Sequence, residues 1–171
     1  MPTAAMRFPP ALLLSALVLA LAPAAAPAAD DDFHPAPAPA WQLKDPDGRV
    51  VSSAQFKHKV VVLDFWATWC GPCRSEIPGY VALQRKYAAD GLAIIGVSVD
   101  EGGPAVVRRF AAEEKIDYPV VLADDKIAGA FGGVDAIPTT FIIDRDGVIR
   151  FRKVGAMPPA EFEAVLQRYL R

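Results

Sequence analysis

Apolar residues in this chain alternate between short continuous runs and longer stretches in which they recur every three or four positions. The runs at 59–66 and 92–99 are almost uninterrupted, which is typical of strands covered on both faces, as in a parallel sheet. Shorter runs predict three more strands, at 118–122, 139–143 and 148–154. The turn sequence Asp144-Arg145-Asp146-Gly147 joins the last two, which therefore form a predicted hairpin.

The stretches between these runs have the periodicity of amphipathic helices. They predict helices at about 70–89, 104–115, 124–131 and 159–170. Pro78 lies within the first helix and is expected to kink it. Near the front of the chain, residues 41–44 and 50–51 flank the turn Asp45-Pro46-Asp47-Gly48 and predict an N-terminal β-hairpin. This order of elements predicts an α/β fold, with a mixed sheet and helices on both faces.

The first 28 residues have the pattern of an export signal. Arg7 is their only charged residue, an apolar run follows at 11–22, and Ala26-Pro27-Ala28 fits the rule for cleavage after Ala28. That run is shorter than the roughly 20 residues of a spanning helix, so we expect a cleaved signal peptide, with an uncleaved membrane anchor as the alternative. Residues 29–40, rich in Asp, Pro and Ala, are expected to form a flexible or extended leader. Residues 41–171 then form one domain.

Charge and composition exclude several functions. The chain has 18 basic and 20 acidic residues, and loss of Arg7 with the signal leaves 17 against 20, a formal charge of −3. No basic patch or aromatic-basic stripe is present, so we expect no nucleic-acid surface. The two histidines, His34 and His58, lack metal-ligand spacing to the cysteines. The sequence therefore predicts neither a metal site nor another cofactor.

Cys70 and Cys73, the only two cysteines, carry the predicted chemistry. They follow the strand at 59–66 directly and stand at the start of the first long helix, where free N–H groups and the helix dipole favour a thiolate. A disulfide closing so short a loop adds only about 2 kcal/mol to stability, so a redox role is favoured over a structural one. Cys70, at the exposed helix start, is the predicted nucleophile, and Cys73, one turn inside, is the shielded resolving cysteine.

Two segments resemble those that form the active site of thioredoxin. Residues 64–73, Asp-Phe-Trp-Ala-Thr-Trp-Cys-Gly-Pro-Cys, are similar to the dithiol segment, and residues 137–141, Ile-Pro-Thr-Thr-Phe, are similar to the cis-proline segment. Within the thioredoxin-like proteins, the chain most resembles exported thiol:disulfide oxidoreductases of the TlpA/ResA type. Three features carry this narrower resemblance: the signal, the front hairpin, and an added helix and strand between Gly103 and Leu122. The resemblance covers residues 41–171 and implies a thioredoxin fold with a central helix-strand insert.

This resemblance implies roles for residues around the cysteines. Asp64 matches a thioredoxin acid that relays a proton for the buried cysteine, although many exported relatives carry a neutral residue there, and a solvated acid at the strand end is the alternative. Pro138 is expected to follow a cis peptide bond beside the dithiol. The backbone of Ile137 could then pair with an extended client segment. Trp69 directly precedes Cys70 and is expected to shape the exposed lip of the site.

Two further features resemble parts of the same family. The dipeptide Gly71-Pro72 is similar to that of the reducing members of the fold. Glu76 matches an acid near the active site of exported relatives, where it could affect the pKa of a cysteine or the choice of client. A solvated charge on the helix surface is an equally supported interpretation of Glu76.

The predicted function is reduction of disulfides in exported proteins, in the bacterial periplasm, through a mixed disulfide with the client. The resemblance implies protein clients and a membrane thiol reductase as electron donor, and we expect a monomer. A disulfide oxidase or isomerase on the same fold is the main alternative. A metal-binding module is disfavoured by the CxxC spacing, and a peroxiredoxin by Ala67, which stands where that class needs threonine. Cytochrome c biogenesis is one candidate role, although Thr139 stands where the dedicated subgroup usually has glutamate.

Overall fold

The computed structural model describes Met1 and residues 33–171. The predicted signal peptide and the first residues of the leader lie outside the described residues. The strands are β1 (Ala36–Pro37), β2 (Gln42–Lys44), β3 (Val50–Ser52), β4 (Val60–Trp66), β5 (Leu92–Ser98), β6 (Val120–Leu122), β7 (Thr139–Ile143) and β8 (Val148–Val154). The helices are α1 (Gly71–Tyr87), α2 (Pro104–Glu113), α3 (Ile127–Ala130) and α4 (Pro159–Leu170), and a 3-10 turn spans Ser53–Phe56.

The strands form one mixed sheet in the order β1-β8-β7-β4-β5-β6-β2-β3. β4, β5 and β6 run parallel, and every other pairing is antiparallel. The predicted N-terminal hairpin is β2–β3, and it joins the sheet through β6, the strand of the predicted insert. The predicted thioredoxin-like α/β fold is therefore confirmed, and β4 lies at its centre.

Alternation along β4 sorts side chains into two cores. Val60, Val62 and Trp66 pack with residues of α1, α2 and α4, on what we call the dithiol face of the sheet. Val61, Leu63 and Phe65 pack with residues of α3 and of the N-terminal segment, on what we call the apolar face. Helices therefore cover both faces, as predicted, and the even-numbered residues of β4 point to the dithiol face.

The described part of the leader is attached to the sheet. β1 pairs with the first residues of β8, and the Ala38 amide donates to the carbonyl oxygen of Gly147 at 2.8 Å. Proline is compatible with this position because an edge strand has one row of N–H groups that need no strand partner. Ala36–Pro37 are therefore extended, one of the two conformations expected for the leader. Within the described residues, no helix has the length and apolar character needed to cross a bilayer.

Candidate active site

The two cysteines lie between the carboxyl end of β4 and the amino end of α1. Cys70 is the N-cap of α1, and Pro72 occupies the first turn, where its missing N–H leaves no helical hydrogen bond unmade. A disulfide joins Cys70 to Cys73. The Cys73 backbone N–H donates to Cys70 Sγ at 3.2 Å, so the helix terminus directs a donor at the sulfur of the predicted nucleophile.

The structure corrects the expected exposure of Cys70. Only 5% of Cys70 and 1% of Cys73 is accessible, so the predicted order holds but the outer cysteine is itself buried in the oxidised form. Cys70 Sγ is turned inward, toward Cys73 and to within 3.9 Å of the Ile137 carbonyl oxygen. The prediction that Cys70 is exposed used only its place at the start of a helix. It did not take into account the segment around Ile137, which covers the sulfur.

The segment around Pro138 lies beside the disulfide. The Ile137–Pro138 peptide bond is cis, and the Pro138 carbonyl oxygen accepts a hydrogen bond from Gly155 N–H at 2.8 Å. Trp69 is 70% exposed, whereas Trp66, three residues earlier, is buried against Phe110 with ring centroids 5.3 Å apart. Trp69 is therefore a surface side chain next to Cys70, while Trp66 serves packing.

Asp64 is buried beneath the disulfide helix. It occupies an even position of β4 and so points to the dithiol face, as Val62 and Trp66 do, and only 4% of it is exposed. Thr140, its register partner on β7, donates to Asp64 Oδ1 at 2.9 Å. Burial, reinforced by the Glu76 carboxylate, raises the pKa of Asp64 well above its ordinary value, against the opposing effect of the Thr140 hydrogen bond. The alternative of a solvated acid is wrong.

Glu76 is also buried, because it shares one face of α1 with Cys73 and Tyr80. Its Oε1 accepts a hydrogen bond from the Met157 N–H at 2.8 Å, whereas its Oε2 is buried with no partner among the described residues. Burial raises the pKa of Glu76 from 4.5 to about 7, although the Met157 hydrogen bond lowers it. The interpretation of Glu76 as a solvated surface charge is therefore wrong.

Three residues near the site were not identified from the sequence. Thr140 and Tyr80 extend the hydrogen-bonding of Asp64, with Tyr80 Oη 3.1 Å from Thr140 Oγ1. Asp100 accepts hydrogen bonds from the Thr68 N–H at 3.0 Å and from the Thr68 hydroxyl at 2.5 Å. The position of Asp100 could have been found from the sequence, because it directly follows β5. The carboxyl ends of the parallel strands β4 and β5 lie at the same edge of the sheet, so Asp100 is expected near the loop that follows β4.

Asp100 fixes the segment that leads into Cys70. Besides Thr68, it accepts the Ser98 hydroxyl at 2.8 Å, so one carboxylate ties the end of β5 to the loop after β4. The loop then turns into α1 through a hydrogen bond from the Cys70 N–H to the Ala67 carbonyl oxygen at 3.1 Å. Among the described residues, no group of three or more His, Cys, Asp and Glu side chains could hold a metal ion.

Comparison with known proteins assigns the family. The AhpC/TSA family matches residues 35–152. The chain belongs to this family. Over 131 residues it is 40% identical to the thioredoxin-like protein YneN of Bacillus subtilis (strain 168), covering 75% of this chain and 76% of that protein. Over 132 residues it is 34% identical to the thiol-disulfide oxidoreductase ResA of Bacillus thuringiensis (strain Al Hakam), covering 77% and 75% of the two chains.

A solved structure agrees with these relatives. A thiol:disulfide interchange protein of the thioredoxin family from Chlorobium tepidum TLS is similar with a TM-score of 0.74 and 36% identity, over 82% of this chain and 99% of that one. The chain therefore has the activity of a thiol:disulfide oxidoreductase, as its relatives and its Cys70–Cys73 pair indicate. Its clients are protein thiols and disulfides.

Proposed function

We propose that this protein reduces disulfides of exported proteins, with Cys70 as the nucleophile and Cys73 as the resolving cysteine. The observation that carries the proposal is the place of Cys70 at the N-cap of α1, where Cys70 Sγ accepts the Cys73 N–H at 3.2 Å. A hydrogen bond from a backbone N–H, together with the positive end of the helix, stabilises a thiolate relative to a thiol. Cys73 lies one turn further into α1 and is the less accessible of the two cysteines, at 1% against 5% in the oxidised form.

The reaction is two successive thiol–disulfide exchanges. In the first, the Cys70 thiolate attacks one sulfur of the client disulfide, a Cys70–client bond forms, and the other client sulfur leaves as a thiolate that takes up a proton. In the second, Cys73 loses its proton and attacks Cys70 Sγ, and the client leaves as a dithiol. Two electrons pass to the client, and the protein is left with the Cys70–Cys73 disulfide.

Asp64 is proposed to take the proton that Cys73 releases in the second exchange. Support comes from its place on the dithiol face, beneath the helix that carries Cys73. Its pKa, raised by burial, lies closer to that of a thiol than the pKa of a solvated carboxyl does. Proton transfer from the Cys73 thiol to the Asp64 carboxylate therefore costs less free energy than transfer to a solvated carboxylate would.

The reducing direction is proposed from the Gly71-Pro72 dipeptide and from the resemblance to reducing members of the fold. Thioredoxin has a reduction potential of about −270 mV, protein disulfide isomerase about −180 mV and the strong oxidant DsbA about −120 mV. We expect a value near that of thioredoxin, measured by equilibration with glutathione or dithiothreitol. A value above that of protein disulfide isomerase would favour the oxidase or isomerase alternative.

Export to the bacterial periplasm is proposed from residues 1–28, with the leader at 29–40 linking the signal to the domain. An oxidising compartment would keep the cysteine pair oxidised, so the proposal includes a membrane thiol reductase as electron donor. The clients could include cytochrome c precursors, although Thr139 lowers the support for that client. We propose a monomer, released by signal cleavage, with retention of an uncleaved anchor as the alternative.

Trapping of clients tests the mechanism. Cys73→Ser removes the resolving sulfur, so the Cys70–client disulfide should accumulate, and non-reducing gels followed by mass spectrometry should show adducts released by dithiothreitol. Cys70→Ser is the matched control and should trap none. Adducts that form in Cys70→Ser but not in Cys73→Ser would reverse the two roles.

A further inference from the structure

Three buried polar side chains form a line on the dithiol face: Tyr80 of α1, Thr140 of β7 and Asp64 of β4. Tyr80 Oη lies 3.1 Å from Thr140 Oγ1, and Thr140 Oγ1 lies 2.9 Å from Asp64 Oδ1. The exposed fractions are 3% for Tyr80, 2% for Thr140 and 4% for Asp64. Apolar side chains of the same size would pack here without polar groups to satisfy, so the hydroxyls have a role beyond filling space.

Donor counting fixes the direction of the line. A threonine hydroxyl has one proton to donate, and Thr140 uses it on Asp64 Oδ1, which has no proton to give when the carboxyl is ionised. Tyr80 must then donate to Thr140. Burial raises the pKa of Tyr80 well above its ordinary value, so Tyr80 keeps its proton and remains a donor throughout the reaction.

We propose that Thr140, held by Tyr80, positions Asp64 for proton transfer with Cys73 by occupying Oδ1 and leaving Oδ2 as the oxygen that gains and loses the proton. This inference rests on the proposed relay role of Asp64. Thr140 and Tyr80 are positioning residues, because their hydroxyls bond to each other and to Asp64, and no hydrogen bond among the described residues joins either of them to a cysteine sulfur. Thr140 also belongs to the cis-proline segment, so a hydrogen bond joins the segment beside the disulfide to the group proposed to receive the Cys73 proton.

Other groups act on Asp64 as well. Glu76 and Tyr80 face it from α1, and Tyr118 faces it from the segment before β6. On β5 its register partner is Gly96, which has no side chain. The Thr140 hydroxyl is the group that favours the ionised form of Asp64, whereas burial and Glu76 oppose it. Loss of that hydroxyl should therefore raise the pKa of Asp64 further.

The experiment measures the pH dependence of the second exchange, with a mixed disulfide formed between Cys70 and a fluorescent thiol and its release followed by stopped flow. Thr140→Val should move the half-maximal pH upward by about one pH unit, because a hydrogen bond to a charged group has about that effect on a pKa. Thr140→Ser, which restores a hydroxyl, should return it toward wild type. Tyr80→Phe should move it in the same direction by less, and Tyr169→Phe, whose hydroxyl contacts the Arg150 carbonyl oxygen, should leave it unchanged.

Asp64→Asn separates this inference from the proposed function. If Asp64→Asn leaves the profile unchanged, the relay itself is wrong, and this inference falls with it. If Asp64→Asn changes the profile but Thr140→Val and Thr140→Ser both match wild type, the relay stands and the positioning role is wrong. In an Asp64→Asn background, Thr140→Val should cause no further shift. Should Thr140→Val not fold, the comparison of Tyr80→Phe with Tyr169→Phe decides, together with the Asp64 carboxyl titration followed by ¹³C NMR in both variants.

Discussion

The two faces of the sheet bury side chains of opposite chemical character. On the apolar face, the core consists mainly of aliphatic and aromatic side chains, including Phe65, Phe131 and Phe141, and the buried hydroxyl of Thr139 is paired with the Ala136 carbonyl oxygen. On the dithiol face, apolar residues enclose two carboxyls, Asp64 and Glu76, and the hydroxyl of Thr140. Buried polar groups lower stability unless they are fully paired. The fold concentrates them where the disulfide lies, so one face supplies stability and the other supplies chemistry.

The largest effect on stability is expected from the apolar face. Phe141 is 1% exposed, and its ring centroid lies 5.1 Å from that of Phe131 and 6.0 Å from that of Phe65. Phe141→Ala should lower the free energy of unfolding by about 3–5 kcal/mol, as large core truncations do, measured by urea denaturation. Phe141→Leu should cost under about 1.5 kcal/mol.

The division of roles also predicts an unchanged reaction profile for Phe141→Leu. Its stability falls, but the pH dependence of the second exchange should match wild type, because Phe141 lies on the face opposite Asp64. An altered profile in Phe141→Leu would show that the two faces are coupled.

A pH-dependent effect of similar size is expected from Glu76. Its pKa rises from 4.5 to about 7 on folding, so between those values the folded protein holds a proton that the unfolded chain has released. Stability therefore falls as pH rises through this window, by about 3 kcal/mol. Asp64, whose pKa is also raised, contributes in the same direction.

Glu76→Gln isolates this contribution. The amide oxygen can still accept the Met157 N–H, but the side chain no longer titrates, so unfolding free energies at pH 4.5 and pH 8 should differ less than in wild type. The measurement is urea denaturation of the oxidised form at both values. Equal pH dependence in the two proteins would mean that folding does not shift the pKa of Glu76.

The sequence predicted the fold more completely than the site, for a physical reason. The hydrophobic pattern and the turn sequences placed every strand of the sheet except β1, which lies in the predicted leader, and the residues of β7, β8 and α4 agree with those observed. The dithiol was found because CxxC is local in sequence. The burial of Glu76 was not predicted. It depends on a contact with Met157, which is distant in the sequence and comes close to Glu76 only when α1 and α4 pack together. Thr140 likewise becomes important only through its register with Asp64.

A smaller loss of stability is expected from substitution of Asp100, which holds the loop between β4 and α1. Asp100→Ala removes the acceptor for the Thr68 N–H, the Thr68 hydroxyl and the Ser98 hydroxyl, and should lower the free energy of unfolding by about 2 kcal/mol. Glu101→Ala, at the exposed neighbouring position, is the matched control and should change it by under about 0.5 kcal/mol. Equal losses in the two variants would mean that Asp100 does not hold the loop.

The smallest effect on stability, and the one most specific to clients, is expected from Trp69. Because Trp69 is 70% exposed, Trp69→Ala should change the free energy of unfolding by under about 0.5 kcal/mol. Its reaction with a small disulfide such as 5,5′-dithiobis(2-nitrobenzoate) should keep the wild-type rate, since neither the sulfurs nor Asp64 is altered. Reaction with a folded protein disulfide should slow through a higher KM, because the exposed indole supplies contact area that only a large client reaches. If Trp69→Ala slowed the reaction with both disulfides equally, Trp69 would act on the reactivity of Cys70 and not on client binding. Trp69 would then belong with the residues of the dithiol face that support the chemistry.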